Sequence, residues 1–124
     1  MREVTIGNET RNIDCNAYTV YLYSELKGGA DLKNVLNMFQ GDDIAALPMN
    51  TLLEMFYVME KTVNKNVGAF PFWLSNLPVE ALDLTAMAEG WIVEVIDLLT
   101  ETFFHQSLKA NLVADVKLGQ EATE

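Results

Sequence analysis

The segment MNTLLEMFYVMEKTVNKN, Met49 to Asn66, most narrowly limits what this chain can fold into. Leu52, Phe56, Met59 and Val63 recur every three or four residues, the spacing of one helix stripe. Leu53 and Tyr57 widen the stripe beyond what a helix covered on one side needs, so cover is expected on more than one side. Pro48 suits the first turn of such a helix. Glu60, Lys61, Lys65 and Asn66 read as its wet end.

The flanking segments supply the cover. Val4 and Ile6 alternate with polar Thr5, and Gly7-Asn8 follows, so REVTI-GN-ETRNI reads as a hairpin. Its register stays open, because a three-residue loop would change which side chains face inward. Asp14 or Asn16 can cap NAYTVYLYSELKGG, in which Tyr18, Leu22 and Leu26 recur and Gly28-Gly29 marks a stop. Asp31 can cap LKNVLNMF, and GDD, residues 41 to 43, is a turn or the start of a short helix. A connector punctuated by Pro71 and Pro78 leads to a long helix expected from about Leu82 to about His105, with Gly90 inside it and Glu80 and Asp83 near its first turn.

The fold class expected is α+β, mostly α-helical: a short N-terminal β-hairpin followed by a compact bundle of about four to five helices. One globular domain is read over residues 1–110, with 111–124 as a frayed acidic tail.

The 124 residues carry eighteen acids against eight bases, and none of those bases lies between Asn66 and Leu108. A net charge of −10 repels phosphate backbones and anionic lipid, so neither nucleic acid nor membrane is an expected partner. Cys15 is the lone cysteine, MREVTIGNET lacks the apolar core of a signal peptide, and no apolar run approaches the ~20 residues of a membrane span. The expected compartment is the cytoplasm.

Two stretches are candidates for contact. In WIVEVIDLLTETFF, Glu94, Asp97 and Glu101 fall within an arc of roughly 60°. Ala88, Trp91, Ile92, Val95, Ile96, Leu98, Leu99 and Phe103 lie across from them. Carboxylates on the wet side stay ionised, so a solvated face or a partner surface is favoured over a pair of catalytic acids. In FPFWL, Phe70, Phe72 and Trp73 sit in a connector that is ordinarily polar. Either the segment folds back to plug the core, or it is an aromatic anchor for a partner. Tyr18, Tyr21 and Tyr23 cannot all face one way, so at least one is exposed. Met49, Met55, Met59 and Met87 fill gaps or form an adaptable surface.

Catalytic chemistry finds little footing. His105 is the sole histidine, too few for a zinc site, and Cys15 is read as a packed thiol and not as a nucleophile. No phosphate cradle is present, because Gly28-Gly29 lacks the lysine and serine of a P-loop. No enzyme activity, cofactor or metal is expected.

The order of elements resembles a known family. A short hairpin (VTIGNETRNI) leads through a helix with YLYSEL, a second helix, a longer one with LLEMFYVME and the aromatic FPFWL to an acidic helix with WIVEVIDLL. This is similar to the tail assembly chaperones of long-tailed bacteriophages, particularly those of phages and prophages in Gram-positive bacteria. The resemblance covers roughly residues 1–105 and rests on size, acidity and element order. It implies a non-enzymatic protein of the host cytoplasm, absent from the mature virion, that holds the tape-measure protein and recruits tail-tube subunits around it. Many members gain a C-terminal extension by ribosomal frameshifting. Self-association is a further option. The competing classes are an acidic interaction module or inhibitor that imitates DNA charge, and a small enzyme built on Cys15 or the carboxylates.

Overall fold

The computed structural model describes residues 1–40, 47–83 and 90–104. The GDD turn, Met87, Ala88, His105 and the segment 111–124 with its boundary at 110 therefore lie outside the described residues.

The chain opens with an antiparallel hairpin of β1 (Arg2–Ile6) and β2 (Glu9–Ile13). Ile6 pairs with Glu9, which leaves Gly7 and Asn8 as a two-residue loop and settles the register. Gly7 has φ +58° while Asn8 does not turn positive, the sign pattern of a type II′ turn that matches strand twist. This register puts Arg2, Val4 and Ile6 on one face with Glu9, Arg11 and Ile13. Val4, Ile6 and Ile13 are buried there, so the two arginines project from the core-facing side of the hairpin.

Among the described residues five α-helices follow, in agreement with the expected α+β, mostly helical class. Helix α1 (Ala17–Leu26) begins at Asn16, whose side chain accepts from the N–H groups of Tyr18 and Thr19 while Thr19 Oγ1 accepts from the Asn16 N–H. This reciprocal cap explains why the helix starts there and not at Asp14. Its buried side is shifted one residue from the predicted Tyr18 stripe. Thr19, Val20, Leu22 and Tyr23 are buried, and Thr19 Oγ1 lies 2.7 Å from Thr62 Oγ1. Tyr18 and Tyr21 are exposed and stacked on one another, and the Tyr21 hydroxyl donates to Glu25. Helix α2 (Leu32–Phe39) is capped by Asp31, as its sequence predicts.

Helix α3 (Met49–Val63) is the axis of the fold. It packs against α1, against β2, against α4 (Phe70–Ser75) and against α5 (Trp91–Leu99). Being covered on several sides, it buries every residue from Met55 to Glu60 in succession. Its wide apolar stripe is borne out except at its last member, Val63, which is exposed, and Glu60 is not at a wet end. Phe56 stacks on Trp91 at 5.1 Å and meets Trp73 edge-on at 5.4 Å. Each indole N–H finds an acceptor: Trp91 Nε1 donates to the Ala81 carbonyl at 2.8 Å and Trp73 Nε1 to Glu60 at 2.5 Å.

The long helix begins later than predicted. Val79–Leu82 forms a single 3₁₀ turn behind Pro78, and Asp83 is extended (φ −72°, ψ 116°). Gly90 is the residue before α5 and not its interior. Glu80 and Asp83 therefore lie outside α5, and Glu94 is the acid in its first turn. Past Leu99 the backbone widens into a π-type turn, Thr100–Phe104. No helix among the described residues is long and apolar enough to cross a membrane.

Candidate functional site

The aromatic connector is a helix, and its two faces have different fates. Gly68, with φ +81°, turns the chain so that its carbonyl accepts from the Tyr57 hydroxyl at 2.5 Å. A Cβ there would come within 2.9 Å of the Phe72 ring, so a side chain would strain the backbone and displace that ring. Pro71 then sits in the first turn of α4, where its missing N–H costs nothing. Phe70 and Trp73, three residues apart, share the inner face, stack at 5.9 Å and both meet Tyr57 edge-on. Trp73 is buried and Phe70 is half-buried against the core. Phe72 points the other way and is 64% exposed.

The core-plug reading of FPFWL holds for Phe70 and Trp73, whereas Phe72 is exposed. Trp73 is corrected as a contact candidate, because its ring is enclosed and its N–H is engaged. Exposed apolar side chains continue along the connector as Leu74 (37%), Val79 (81%) and Leu82 (50%). Leu74 belongs to FPFWL, but the sequence reading passed over Val79 and Leu82 as exposed apolar residues. Their signal was the absence of any cation near them and the prolines that prevent one continuous amphipathic helix.

The acid stripe also has an occupant that spacing could not reveal. Arg2 reaches from β1 across α5, with Nη1 3.1 Å from Glu94 Oε2 and 3.9 Å from Asp97, and Nη2 hydrogen-bonded to Glu101. The contact to Glu101 first, and that to Glu94 second, hold the guanidinium above its ordinary pKa. The three carboxylates do share a face, as predicted, and that face anchors the hairpin.

Arg11 makes the inner counterpart. Its Nη1 donates to the two Glu60 oxygens at 3.1 and 3.4 Å, and Nε and Nη2 donate to Glu9 at 3.3 and 3.0 Å. The guanidinium also lies 5.8 Å from the Trp73 ring centroid. Glu60 therefore receives one charged and one indole donor inside the fold.

Cys15, between β2 and α1, is buried, and burial above all pushes its thiol from 9.0 up to about 12. A thiol so held is neutral at physiological pH and a poor nucleophile. Its conceived partner, His105, lies outside the described residues. No protein-family model, curated protein or solved structure matches the chain.

Proposed function

We propose that this chain is a non-enzymatic tail assembly chaperone of the long-tailed phage type, which binds the tape-measure protein in the cytoplasm of a bacterial host and helps recruit tail-tube subunits. The carrying observation is the row of exposed apolar side chains Leu74, Val79 and Leu82, which line one depression, with Phe72 exposed on another side of α4, on a chain of net charge −10. Such a row can cover apolar surface on a client, while the charge opposes aggregation of the carrier itself. The element order that carries the resemblance supports the same reading.

The alternative, an inhibitor imitating DNA charge, needs acids displayed in a row to the partner. Arg2 sits among the stripe's three carboxylates and cancels part of their field, which counts against it. Co-expression with the tape-measure protein encoded beside the chain tests the proposal. Client solubility should rise, and co-purification should fall on Phe72→Ala with the melting temperature unchanged. A client equally insoluble with and without this chain would overturn the chaperone reading. Trp73→Ala is unsuited to the purpose, because it removes core packing together with any contact.

A further inference from the structure

A cavity of about 400 Å³ lies away from the exposed row, where the start of α1, the first half of α2 and the π-type turn converge. That volume falls among those of small-molecule sites. Ala17 and Val20 line it from α1, Leu32 and Leu36 from α2, and Phe103 from the π-type turn. On α2 the lining runs from Leu32 to Leu36, about 6 Å of helix axis at 1.5 Å per residue. A partner helix, about 10 Å across with its side chains, would find support here for little more than one turn. A slender apolar body is instead met on three sides.

The polar groups left to meet that body are donors. Asn16 lines the cavity, and its Oδ1 is engaged by the N–H groups of Tyr18 and Thr19, which leaves the Nδ2 end of the amide. The Thr102 hydroxyl donates to the Leu98 carbonyl at 2.8 Å. Lys33 lines the rim and is exposed, and among the described residues its ammonium has no hydrogen-bond or ion-pair partner. No carboxylate is among the described residues that line the cavity. Asp31, two residues before Lys33, is turned back as the α2 cap and accepts from the Lys33 backbone N–H at 2.8 Å. Glu101, beside Thr102, is held by Arg2. The cavity thus joins an apolar hollow to a local cation and an amide donor, on a chain that is acidic as a whole.

We infer that this cavity is a binding site for a small apolar carboxylate of the medium-chain fatty acid type. The hydrocarbon lies among Val20, Leu36 and Phe103, and the carboxylate sits at the rim on the Lys33 ammonium and the Asn16 amide. Apolar contact supplies most of the affinity. At a wet rim the carboxylate keeps part of its hydration, so the lysine selects the head group without the desolvation that a buried ion pair would demand. This site goes beyond the chaperone reading and does not rest on it.

Decanoate, decanol and decylammonium share one hydrocarbon body and differ in the charge of the head. Calorimetry and amide shift mapping on the full chain, at neutral pH and below micelle-forming concentrations, compare the three. Decanoate should bind, with shifts centred on Ala17, Val20, Leu36 and Phe103. Decanol should bind this site about fivefold more weakly and decylammonium more weakly still, and added salt should narrow both gaps. Lys33→Gln, at an exposed position in the first turn of α2, should weaken decanoate by about fivefold and leave decanol unchanged. Circular dichroism and the melting temperature check that the variant is folded.

Absence of decanoate binding would overturn the site, as would equal binding of the three heads. Shifts mapping to another surface would do the same, and so would a decanoate affinity that Lys33→Gln leaves unmoved. A loss of decanoate and decanol together in Lys33→Gln would also refute it, because the lysine would then support the shape of the cavity and not select the head.

Discussion

Arg2 and Arg11 leave the same face of the same hairpin, yet they meet opposite environments. Arg11 and Glu60 retain 13% and 12% of their side-chain exposure, with the Trp73 ring alongside. Arg2 faces three carboxylates whose side chains retain 36%, 53% and 57%. Coulomb attraction across a water-exposed pair is weak, and ordering two long side chains offsets much of it. A buried pair has water stripped from both ions, so each depends on the other for its solvation. The number of carboxylates around an arginine is therefore a poor guide to its energetic weight. One enclosed glutamate should matter more than three wet ones.

The sharpest way to break this comparison is Glu60→Ala. It leaves the Arg11 charge and the Trp73 N–H without their buried acceptor, and a loss of about 3–5 kcal/mol is expected in urea unfolding. Replacing Glu60 and Arg11 together by leucine and methionine should restore much of that loss, because no orphaned charge remains. If the double variant is as unstable as the single one, the pair is doing more than solvating itself. Trp73→Phe keeps an aromatic ring against Phe56 but deletes the donor to Glu60. Its expected cost is about 1–3 kcal/mol.

Alkaline titration separates these ion pairs from the core beside them. Burial raises the Cys15 thiol from 9.0 to about 12 and, with Glu54 nearby, the Tyr23 hydroxyl from 10.0 to about 12. Both folded values lie above the unfolded ones, so the unfolded chain gives up these protons first. Their contribution is complete below pH 9 and is lost as the pH rises through about 12. The melting temperature should fall across that window, and Cys15→Ala should flatten the early part of the fall. A thiol reagent that modifies Cys15 rapidly at pH 8 in the folded protein would contradict the burial on which this rests.

The sequence carried the elements whose causes are local. The Gly7-Asn8 loop, the Asn16 and Asp31 caps and the wide α3 stripe all depend on neighbours within four residues. Gly90 misled for the same reason. Apolar spacing runs on across it, whereas the backbone there is not helical (φ −108°, ψ −136°) and α5 starts only at Trp91. Glu60 looked solvated because Lys61 follows it in the last turn of α3. Its actual partners are 49 and 13 residues away. Arg2 meets Glu94 across 92 residues, beyond any helix rule. The split of FPFWL was legible in principle, since Phe70 and Trp73 are spaced for one helix face and Phe72 is not. Treating the segment as a loop hid that pattern.

The smallest effect expected lies at the wet end of the comparison, and it carries a sign that can be checked. Arg2→Ala should cost less than about 1 kcal/mol, and the difference should shrink in high salt. Without the guanidinium, Glu94, Asp97 and Glu101 face one another at spacings of three and four, where like charges repel by about 0.2–0.5 kcal/mol per pair. The three are not equivalent. Glu94 lies in the first turn of α5, where the helix dipole favours a negative charge, and Glu101 lies about two turns further on, in the π-type turn that continues the helix, where that favour is gone. Glu101→Gln should therefore restore stability in the Arg2→Ala background, whereas Glu94→Gln should lower it further. If both glutamines restored it equally, mutual repulsion alone would govern the stripe. If neither changed the midpoint, Arg2 would act through the packing of its aliphatic stem against α5 and not through its charge.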